Sequence, residues 1–392
     1  MKSLKLNPGK FLSTIQLPGS KSYANRVLIL GALKPGKFTI HDLPESTDVT
    51  ILADCLRQIG LKIKFSGTTC EIEGSFPECE IKAPEITVGE GGSTARFLAS
   101  LLMKGQQPYT LLLGERLKER PWQEFIDLVN HNGGKATLAG NKLTIQGPVT
   151  LPSKLEVDCA RTTQFASGVQ LAFETTDVKP VNMSSSESYW KMTTFLQQMI
   201  NDSDIFCVPL DWSSASYPLA FGALNQEIFF PGLSFDQFQA DAKFFNLLDS
   251  LGMIKVSQKG LSVIPKKMAR DLSVDVSDAL DLVPALAFFL AHIEGSHKLT
   301  GIANLQHKES DRLAEVLKLL KEFERTASTD GKTLVIEGKT QIITVKKDLV
   351  FPDDHRMVMA GSLFLLHHGG GSVSPSEAVA KSFPRFFDLL ES

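Results

Sequence analysis

The chain has 392 residues, of which 43% are hydrophobic and 22% are charged, and its formal net charge at pH 7 is −3. This length suggests two or three domains, and the apolar content is enough to fill more than one core. The slightly negative charge argues against a general nucleic-acid-binding or membrane-surface protein. Any anion site therefore requires local clusters of Lys and Arg.

The N-terminus and the cysteines indicate a cytoplasmic protein. Residues 1–11 lack the apolar stretch of a secretory signal, and no apolar run is long enough to span a bilayer. The five cysteines are scattered, and none belongs to a Cys-x-x-Cys pair, so neither a disulfide framework nor a zinc site is predicted. A reducing compartment suits such cysteines.

The first informative segment is PGSKSYANR, at 18–26, which leads directly into an apolar helix. Lys21, Ser22 and Arg26 would add charge and hydrogen-bond donors to the N–H groups of that helix start, an arrangement that binds anions. A capped helix with solvated side chains explains the segment equally well. A P-loop is excluded, because Gly-x-x-x-x-Gly-Lys-Ser/Thr spacing is absent here.

The same pattern recurs six times: a polar lead-in, a buried apolar helix and then an amphipathic helix. The apolar helices are predicted to begin at residues 25, 94, 164, 216, 282 and 356. The amphipathic helices are predicted at 48–60, 121–134, 188–200, 235–252, 308–323 and 383–392. Strand-like runs with turn residues at 61–74, 135–147, 253–265 and 332–345 predict β-hairpins.

Six such units predict a mixed α/β (α+β) fold of two globular halves, with three units in each, buried helices inside and mixed sheets outside. A parallel doubly wound sheet is the alternative, but the paired strand runs favour hairpins. We expect residues 1–19 and 212–392 to form one domain and 20–211 the other. The first strand precedes the first unit and would then pair within the other half.

Two loops of the first half suit anions. In VGEGGSTARFL, at 88–98, three glycines expose backbone amides, and Arg96 follows one turn into the helix. In GERLKERPW, at 114–122, Arg116, Lys118 and Arg120 precede a helix. Neighbouring glutamates partly neutralise that second loop, so a solvated run of charges is the simpler interpretation.

The second half contributes acidic and basic pairs. Lys308 and Arg312 are four residues apart on one predicted helix face, where a bound anion would remove their repulsion. Glu309 neighbours both and suits proton transfer. A mixed-charge exposed face is the alternative.

Three further positions open buried helices or precede the last one. Arg356 needs a partner, for which Asp354 is the nearest candidate. Asp281 acts either as an N-cap or as an acid/base group. Lys381 lies just before the last predicted helix. Together, polar and mostly cationic residues at the starts of buried helices in five of the six units predict one cationic cleft between the halves, with the active site in it.

These motifs, in their order, resemble the 3-phosphoshikimate 1-carboxyvinyltransferase (EPSP synthase) family almost end to end. The segments that carry the resemblance are PGSKSYANR, GEGGSTARFLA, RLKERP, TTQF, DWSSASY, KESDRL, DDHRMVM and KSFP. The resemblance implies an inside-out α/β barrel of two domains, each with three βαβαββ units. It also implies transfer of the enolpyruvyl group of phosphoenolpyruvate to the 5-hydroxyl of shikimate 3-phosphate, releasing phosphate, on the route to chorismate and aromatic amino acids.

The resemblance implies roles for individual residues. Those matching phosphoenolpyruvate-binding positions are Lys21, Gly92, Arg116, Gln164, Arg312, Arg356 and Lys381. Those matching positions around shikimate 3-phosphate are Lys21, Ser22, Arg26, Thr162, Thr163, Gln164, Ser186, Asp281, Asn304 and Lys308. The catalytic positions are Lys21, Asp281 at the reacting hydroxyl and Glu309 near the methylene carbon. No metal, organic cofactor, nucleic acid or membrane is implied, and we expect a monomer.

The chain departs from the family pattern at Glu90, where Asn is usual, and at Thr162 and Thr163, where Ser-Ser is usual. The nearest alternative is a UDP-N-acetylglucosamine enolpyruvyl transferase, but the cysteine of that enzyme's loop is absent from 114–122. An ATP-dependent phosphotransferase is disfavoured by the missing P-loop. A non-catalytic relative is disfavoured because Lys21, Asp281 and Glu309 are all present.

Overall fold

The computed structural model describes residues 1–82, 85–183, 185–201 and 203–391. The chain divides into two compact units. Unit 1 consists of Met1–Pro18 and Leu210–Ser392, and unit 2 consists of Gly19–Pro209. Among the described residues, no helix combines the length and the apolar character needed to cross a bilayer.

The described residues contain eleven α-helices. They are α1 (Lys21–Leu33), α2 (Thr47–Gln58), α3 (Gly92–Leu102), α4 (Gln123–His131), α5 (Gln164–Ala172), α6 (Glu187–Asn201), α7 (Trp212–Asn225), α8 (Lys243–Ser250), α9 (Val283–Ala291), α10 (Arg312–Glu322) and α11 (His355–His367). Short 3-10 helices span Leu117–Glu119, Ala240–Ala242, Leu280–Leu282, Leu305–His307, Ser376–Lys381 and Phe386–Leu389.

The strands of the described residues follow the same repeat. They are β1 (Leu4–Leu6), β2 (Lys37–His41), β3 (Lys62–Ser66), β4 (Thr69–Glu73), β5 (Ile86–Gly89), β6 (Pro108–Leu113), β7 (Lys135–Ala139), β8 (Lys142–Gln146), β9 (Lys154–Asp158), β10 (Asp177–Val181), β11 (Ile205–Cys207), β12 (Ile228–Pro231), β13 (Ile254–Ser257), β14 (Gly260–Val263), β15 (Ser273–Asp275), β16 (Gly295–Thr300), β17 (Thr326–Thr329), β18 (Thr333–Gly338), β19 (Lys347–Val350) and β20 (Gly371–Ser374).

Among the described residues each unit has three sheets, of which two mix parallel and antiparallel pairs, while β10-β9 is parallel and β12-β14-β13 is antiparallel. In unit 2 the strand orders are β11-β2-β4-β3, β5-β6-β8-β7 and β10-β9. In unit 1 they are β12-β14-β13, β15-β16-β18-β17 and β1-β20-β19. The N-terminal β1 pairs antiparallel with β20, with Leu4 opposite Val373. The predicted mixed α/β architecture is therefore confirmed.

The six apolar helices form the two cores, as the sequence predicts. In unit 2, α1, α3 and α5 pack against one another, and in unit 1, α7, α9 and α11 do the same. All nine residues of α9 are buried, which is the pattern expected of a helix that is apolar on every side. Close packing depends on small residues, since a Cβ at Gly168 of α5 would overlap the hydroxyl of Ser100 on α3.

Two predictions near the C-terminus are wrong. The hairpin predicted at 332–345 instead joins β18 to the preceding β17, because Asp330-Gly331 forms the turn. The Asp330 carboxylate accepts the N–H groups of Lys332 and Thr333 at 2.9 and 2.7 Å. The helix predicted at 383–392 is replaced by the 3-10 helix Phe386–Leu389 and a backbone bridge between Leu390 and Phe11.

Candidate active site

Three cations of unit 1 converge on the carboxylate of Asp281. Arg312 Nη1 lies 2.7 Å from Oδ1, and Lys308 Nζ lies 3.3 Å from the same oxygen. Arg356 Nη2 lies 3.2 Å from Oδ2. Burial alone would raise the pKa of Asp281, but the charges of Arg356, Lys308 and Arg312 outweigh it and hold the pKa well below its usual value. The group is therefore ionised at neutral pH.

Helix starts position these groups. Arg312 is the first residue of α10, whose N-cap, Asp311, accepts the N–H of Ala314 at 3.1 Å. Arg356 is the second residue of α11. Asp281 lies within the 3-10 helix Leu280–Leu282, which precedes α9. The N-cap interpretation of Asp281 is wrong, because Leu282 holds that position and the Asp281 carboxylate bonds the arginines instead.

The predicted shared helix face of Lys308 and Arg312 is also wrong. Lys308 has an extended backbone after the 3-10 helix Leu305–His307, and α10 begins only at Arg312. Both side chains instead contact the carboxylate of Asp281, which takes the position that the sequence predicts for a bound anion. Asn304 precedes the same 3-10 helix and is half-buried.

Glu309 forms a second acidic centre in unit 1. Its carboxylate oxygens lie 2.9 Å from His355 Nδ1, 3.4 Å from Lys381 Nζ and 3.7 Å from Arg312 Nη2. Burial would raise the pKa of Glu309, but the charges of Lys381, His355 and Arg312 lower it well below the usual value. Glu309 is therefore ionised in the protein without substrates, and its carboxylate can accept a proton.

Asp354 holds Arg312 in place and was not predicted to do so. It is fully buried, and Arg312 donates Nε–H to Oδ2 at 3.0 Å and Nη2–H to Oδ1 at 3.2 Å. Ser310 and the backbone N–H of Arg356 also donate to this carboxylate, at 2.8 and 3.1 Å. The predicted pairing of Asp354 with the Arg356 side chain is therefore wrong. One feature of the sequence could have indicated this role. Asp354 directly precedes an apolar helix, and a carboxylate buried there requires several hydrogen-bond donors.

Glu309, Asp354 and His355 also present ligand atoms within 4.8 Å of one another, a spacing that suits a metal ion. Arg312 and Lys381 already neutralise both carboxylates. A divalent cation would have to displace these two side chains, so the surrounding ion pairs disfavour a metal centre here.

In unit 2, the starts of α1, α2 and α3 meet around Lys21. Lys21, the first residue of α1, donates to Asp48 Oδ2 at 2.8 Å. Asp48 lies on α2 and is close to Gly91, because a Cβ added to that glycine would lie only 2.9 Å from Asp48 Oδ1. Thr94 of α3 donates to the backbone carbonyl of Asp48 at 3.0 Å. The lysine and the glycine-rich loop are therefore neighbours, as an anion site requires.

Gly92 lies against two polar side chains. A Cβ there would be 2.8 Å from Arg120 Nη1 and 3.0 Å from Gln164 Oε1. Gln164 also donates to Ser93 Oγ at 3.1 Å. Arg120 belongs to the predicted charge run but not to the predicted site, although its Nη1 lies close to Gly92, the first residue of α3.

The two buried arginines of unit 2 have uncharged partners. Arg26 donates to Thr193 Oγ1, Ser22 O and Tyr189 O at 2.8, 2.9 and 3.1 Å, and burial lowers its pKa to about 10. Arg96 lies 5.4 Å from the Trp122 ring centroid and donates to Gln164. Its guanidinium also donates to the carbonyl of Pro121 at 3.1 Å and so supports the loop at 114–122.

The remaining predicted positions of unit 2 are spread around these helix starts. Arg116 is 45% exposed and pairs with Glu119 at 3.0 Å. Thr163 is buried at the start of α5, and the Thr162 hydroxyl accepts the N–H of Gln164 at 3.2 Å. Ser186 has φ of +66° and directly precedes α6.

Known proteins of one enzyme family are similar to this chain over nearly its whole length. The sequence model of EPSP synthase (3-phosphoshikimate 1-carboxyvinyltransferase) matches residues 7–199 and 179–390. The 3-phosphoshikimate 1-carboxyvinyltransferase of Vibrio cholerae serotype O1 (strain M66-2) is 28% identical over 421 residues, covering 99% of this chain and 98% of that protein. The protein of the same name from Psychromonas ingrahamii is also 28% identical, over 100% of this chain and 99% of its own length.

Solved structures share the fold. An EPSP synthase from Acinetobacter baumannii superposes with a TM-score of 0.79 at 20% identity, over 99% of this chain and 97% of that one. The enolpyruvyl transferase NikO from Streptomyces tendae gives a TM-score of 0.76 at 14% identity, over 98% and 95% of the two chains. Because the family's sequence model spans both units, the chain belongs to the EPSP synthase (3-phosphoshikimate 1-carboxyvinyltransferase) family.

Proposed function

We propose that this chain transfers the enolpyruvyl group of phosphoenolpyruvate to the 5-hydroxyl of shikimate 3-phosphate and releases phosphate. Membership of the family supports the reaction. The observation that carries the proposal is the convergence of Lys308, Arg312 and Arg356 on Asp281. Both substrates carry phosphate and carboxylate groups, so binding them together requires several cations, and arginine can grip such groups through two N–H bonds.

Residues of both units take part in this proposal. Phosphoenolpyruvate would contact Lys21, Gly92, Arg116, Gln164, Arg312, Arg356 and Lys381, and we add Arg120 because it lies against Gly92. Shikimate 3-phosphate would contact Lys21, Ser22, Arg26, Thr162, Thr163, Gln164, Ser186, Asp281, Asn304 and Lys308. The enzyme would act as a monomer without a metal ion or an organic cofactor.

The reaction consists of an addition and an elimination. The 5-hydroxyl oxygen bonds to C2 of phosphoenolpyruvate, the hydroxyl proton leaves, and the methylene carbon gains a proton. The bond between C2 and the phosphate oxygen then breaks, the methyl group loses a proton, and phosphate departs. Lys21 and Asp281 would serve the hydroxyl, and Glu309 would serve the methylene carbon.

The surroundings of Glu309 explain how a low-pKa carboxylate takes up the proton it must deliver. In the free protein, Lys381 and Arg312 lie 3.4 and 3.7 Å from it and keep it ionised. Substrate anions that bind these cations would reduce their effect on Glu309. Its pKa would then rise towards the range in which a carboxylic acid delivers a proton.

The decisive experiment measures phosphate release from phosphoenolpyruvate in the presence of a chelator. We expect release with shikimate 3-phosphate and none without an acceptor. Release with UDP-N-acetylglucosamine instead would support the paralogous enzyme, and a requirement for ATP or Mg²⁺ would contradict the proposal.

A lysine variant tests the site directly. Lys21→Ala should lose most of the activity while the protein remains folded in the absence of urea. Lys37→Ala is the matched control, because Lys37 is an exposed lysine of unit 2 that pairs with Glu71 on β4. Wild-type turnover in Lys21→Ala would refute the role of Lys21.

A further inference from the structure

Glu90 lies in the turn between β5 and α3, but its carboxylate bonds a different loop. Oε2 accepts the backbone N–H of Leu117 at 2.9 Å, and Oε1 lies 3.4 Å from the backbone nitrogen of Arg116. These N–H groups open the 3-10 helix Leu117–Glu119, in which the N-cap Arg116 makes no side-chain capping bond. A carboxylate is a favourable acceptor at such a start. Glu90 therefore caps this turn from another segment.

The backbone around Glu90 is shaped to allow this contact. The N–H of Gly114 donates to the carbonyl of Gly89 at 3.0 Å, which joins the two segments immediately beside Glu90. A Cβ at Gly114 would overlap both carboxylate oxygens of Glu90. The carboxylate therefore lies directly against Gly114, and any larger residue at that position would displace it.

The far end of the same loop is held separately. Arg96 donates to the carbonyl of Pro121 at 3.1 Å, and Trp122 Nε1 donates to the carbonyl of Leu117 at 3.1 Å. Arg116, the residue whose backbone approaches Glu90, has a side chain that is 45% exposed and points to the surface residue Glu119. Its backbone is therefore better fixed than its guanidinium.

We infer that Glu90 is a positioning residue for phosphoenolpyruvate, acting through the backbone of Arg116. The inference rests on the proposed function. A negative charge beside an anion site would by itself repel the substrate, so the two effects of Glu90 oppose each other. Alignment of Arg116 outweighs the repulsion, because the carboxylate is occupied by the N–H groups of the 3-10 helix.

Steady-state kinetics of the full chain tests the inference. Glu90→Ala should raise the KM for phosphoenolpyruvate about tenfold, which corresponds to about 1.4 kcal/mol. Its kcat and its KM for shikimate 3-phosphate should stay within about twofold of the wild-type values. Glu90→Gln keeps an acceptor oxygen for Leu117 N–H and should restore most of the affinity, with a KM within about threefold of wild type.

Glu115→Ala is the matched control, since it removes a carboxylate of the same loop that pairs with the Lys118 side chain. It should leave both KM values unchanged. An unchanged or lower KM for phosphoenolpyruvate in Glu90→Ala would overturn the inference, as would an equal rise in both KM values. A wild-type protein that releases no phosphate would instead overturn the proposed function, and the inference with it.

Discussion

Arg312 in unit 1 and Arg26 in unit 2 are both buried near the start of a helix, yet their partners differ. Arg312 contacts the carboxylates of Asp354, Asp281 and Glu309. Arg26 bonds two backbone carbonyls and a hydroxyl, and it lies 5.1 Å from the Phe97 ring centroid. Burial would lower the pKa of Arg312, but the carboxylates outweigh it and raise the pKa. Burial dominates at Arg26, where the pKa falls to about 10.

This difference bears on how each unit would receive an anion. In unit 1, the cations already have protein carboxylates as partners, so a substrate anion must replace or share them. In unit 2, Arg26 and Arg96 have neutral partners, and their positive charge is less compensated. We therefore expect unit 2 to attract an anion more strongly and unit 1 to rearrange its ion pairs when one binds.

The largest effect is expected on the free energy of unfolding when each of the two buried arginines is replaced by leucine. Arg312→Leu should lower the free energy of unfolding by about 3–5 kcal/mol, because it leaves Asp354 buried and uncompensated. Arg26→Leu should cost only about 1–3 kcal/mol, because it leaves neutral acceptors without donors. Urea unfolding measures both values.

The double variant Arg312→Leu/Asp354→Leu is the control for charge. It should recover a large part of the loss seen in Arg312→Leu, since no uncompensated charge remains at that pair. Equal losses in the two single variants, or no recovery in the double variant, would show that the two units do not treat buried charge differently.

The second effect concerns the acidic centre of unit 1. Glu309→Gln should reduce kcat about 100-fold, as expected when a positioned acid/base group is removed. The KM for phosphoenolpyruvate should stay equal or fall, because Lys381 and Arg312 lose a competing anion. Stopped-time assays of phosphate release measure both constants. Unchanged kcat with a raised KM would assign Glu309 to binding and remove it from proton transfer.

Sequence patterns predict much of the fold because the six apolar helices have no exposed face. Their composition leaves burial as the only stable state, so α1 and α9 are predictable without knowledge of their neighbours. The 3-10 helix that replaces the predicted α-helix at the C-terminus was not predictable in this way. Pro384 and two backbone hydrogen bonds replace helical bonds there. The N–H of Glu391 donates to the carbonyl of Lys10, and the N–H of Leu12 donates to the carbonyl of Leu389. Both bonds join segments that are distant in sequence.

The site was predictable as a list of charged residues but not as a set of pairs. Local spacing predicts Lys308, Glu309 and Arg312, and the structure places them in one group of ion pairs around Asp281 and Arg312. The partners Asp354 for Arg312 and Asp281 for Arg356 lie 42 and 75 residues away in sequence. Spacing along the chain carries no information on such pairs, so the nearest carboxylate was the wrong choice for Arg356.

A third prediction uses pH to separate the units. In unit 1, His292 Nε2 lies 2.8 Å from His368 Nε2, and burial lowers the pKa of His367 to about 4 and that of His368 to about 3. Burial also lowers the pKa of His292, and the neighbouring His367 and His368 lower it further. The unfolded chain therefore binds more protons between about pH 4 and 6.5, so stability must fall as pH falls through that window.

We expect unit 1 to lose about 2 kcal/mol for each of His367 and His368 between pH 7 and pH 5, and unit 2 to lose less. Hydrogen exchange read by mass spectrometry measures this, with peptides from α9 and α11 compared with peptides from α1 and α3. His368→Gln should reduce the pH dependence of the unit 1 peptides. Equal loss of protection in both units would contradict a specific role for the histidine cluster.

The smallest effect is expected from breaking an exposed ion pair of unit 2, which shows whether exposed pairs contribute as much as buried ones. Arg116 and Glu119 are 45% and 59% exposed and lie 3.0 Å apart, so Glu119→Gln should change the free energy of unfolding by less than about 0.5 kcal/mol. Freeing the guanidinium should lower the KM for phosphoenolpyruvate by at most about twofold, since solvent screens the pair already. Glu115→Gln breaks the neighbouring pair with Lys118 and should leave that KM unchanged. A KM change above fivefold in Glu119→Gln would mean that the surface pair controls Arg116, and the contrast between buried and exposed charge in this unit would not hold.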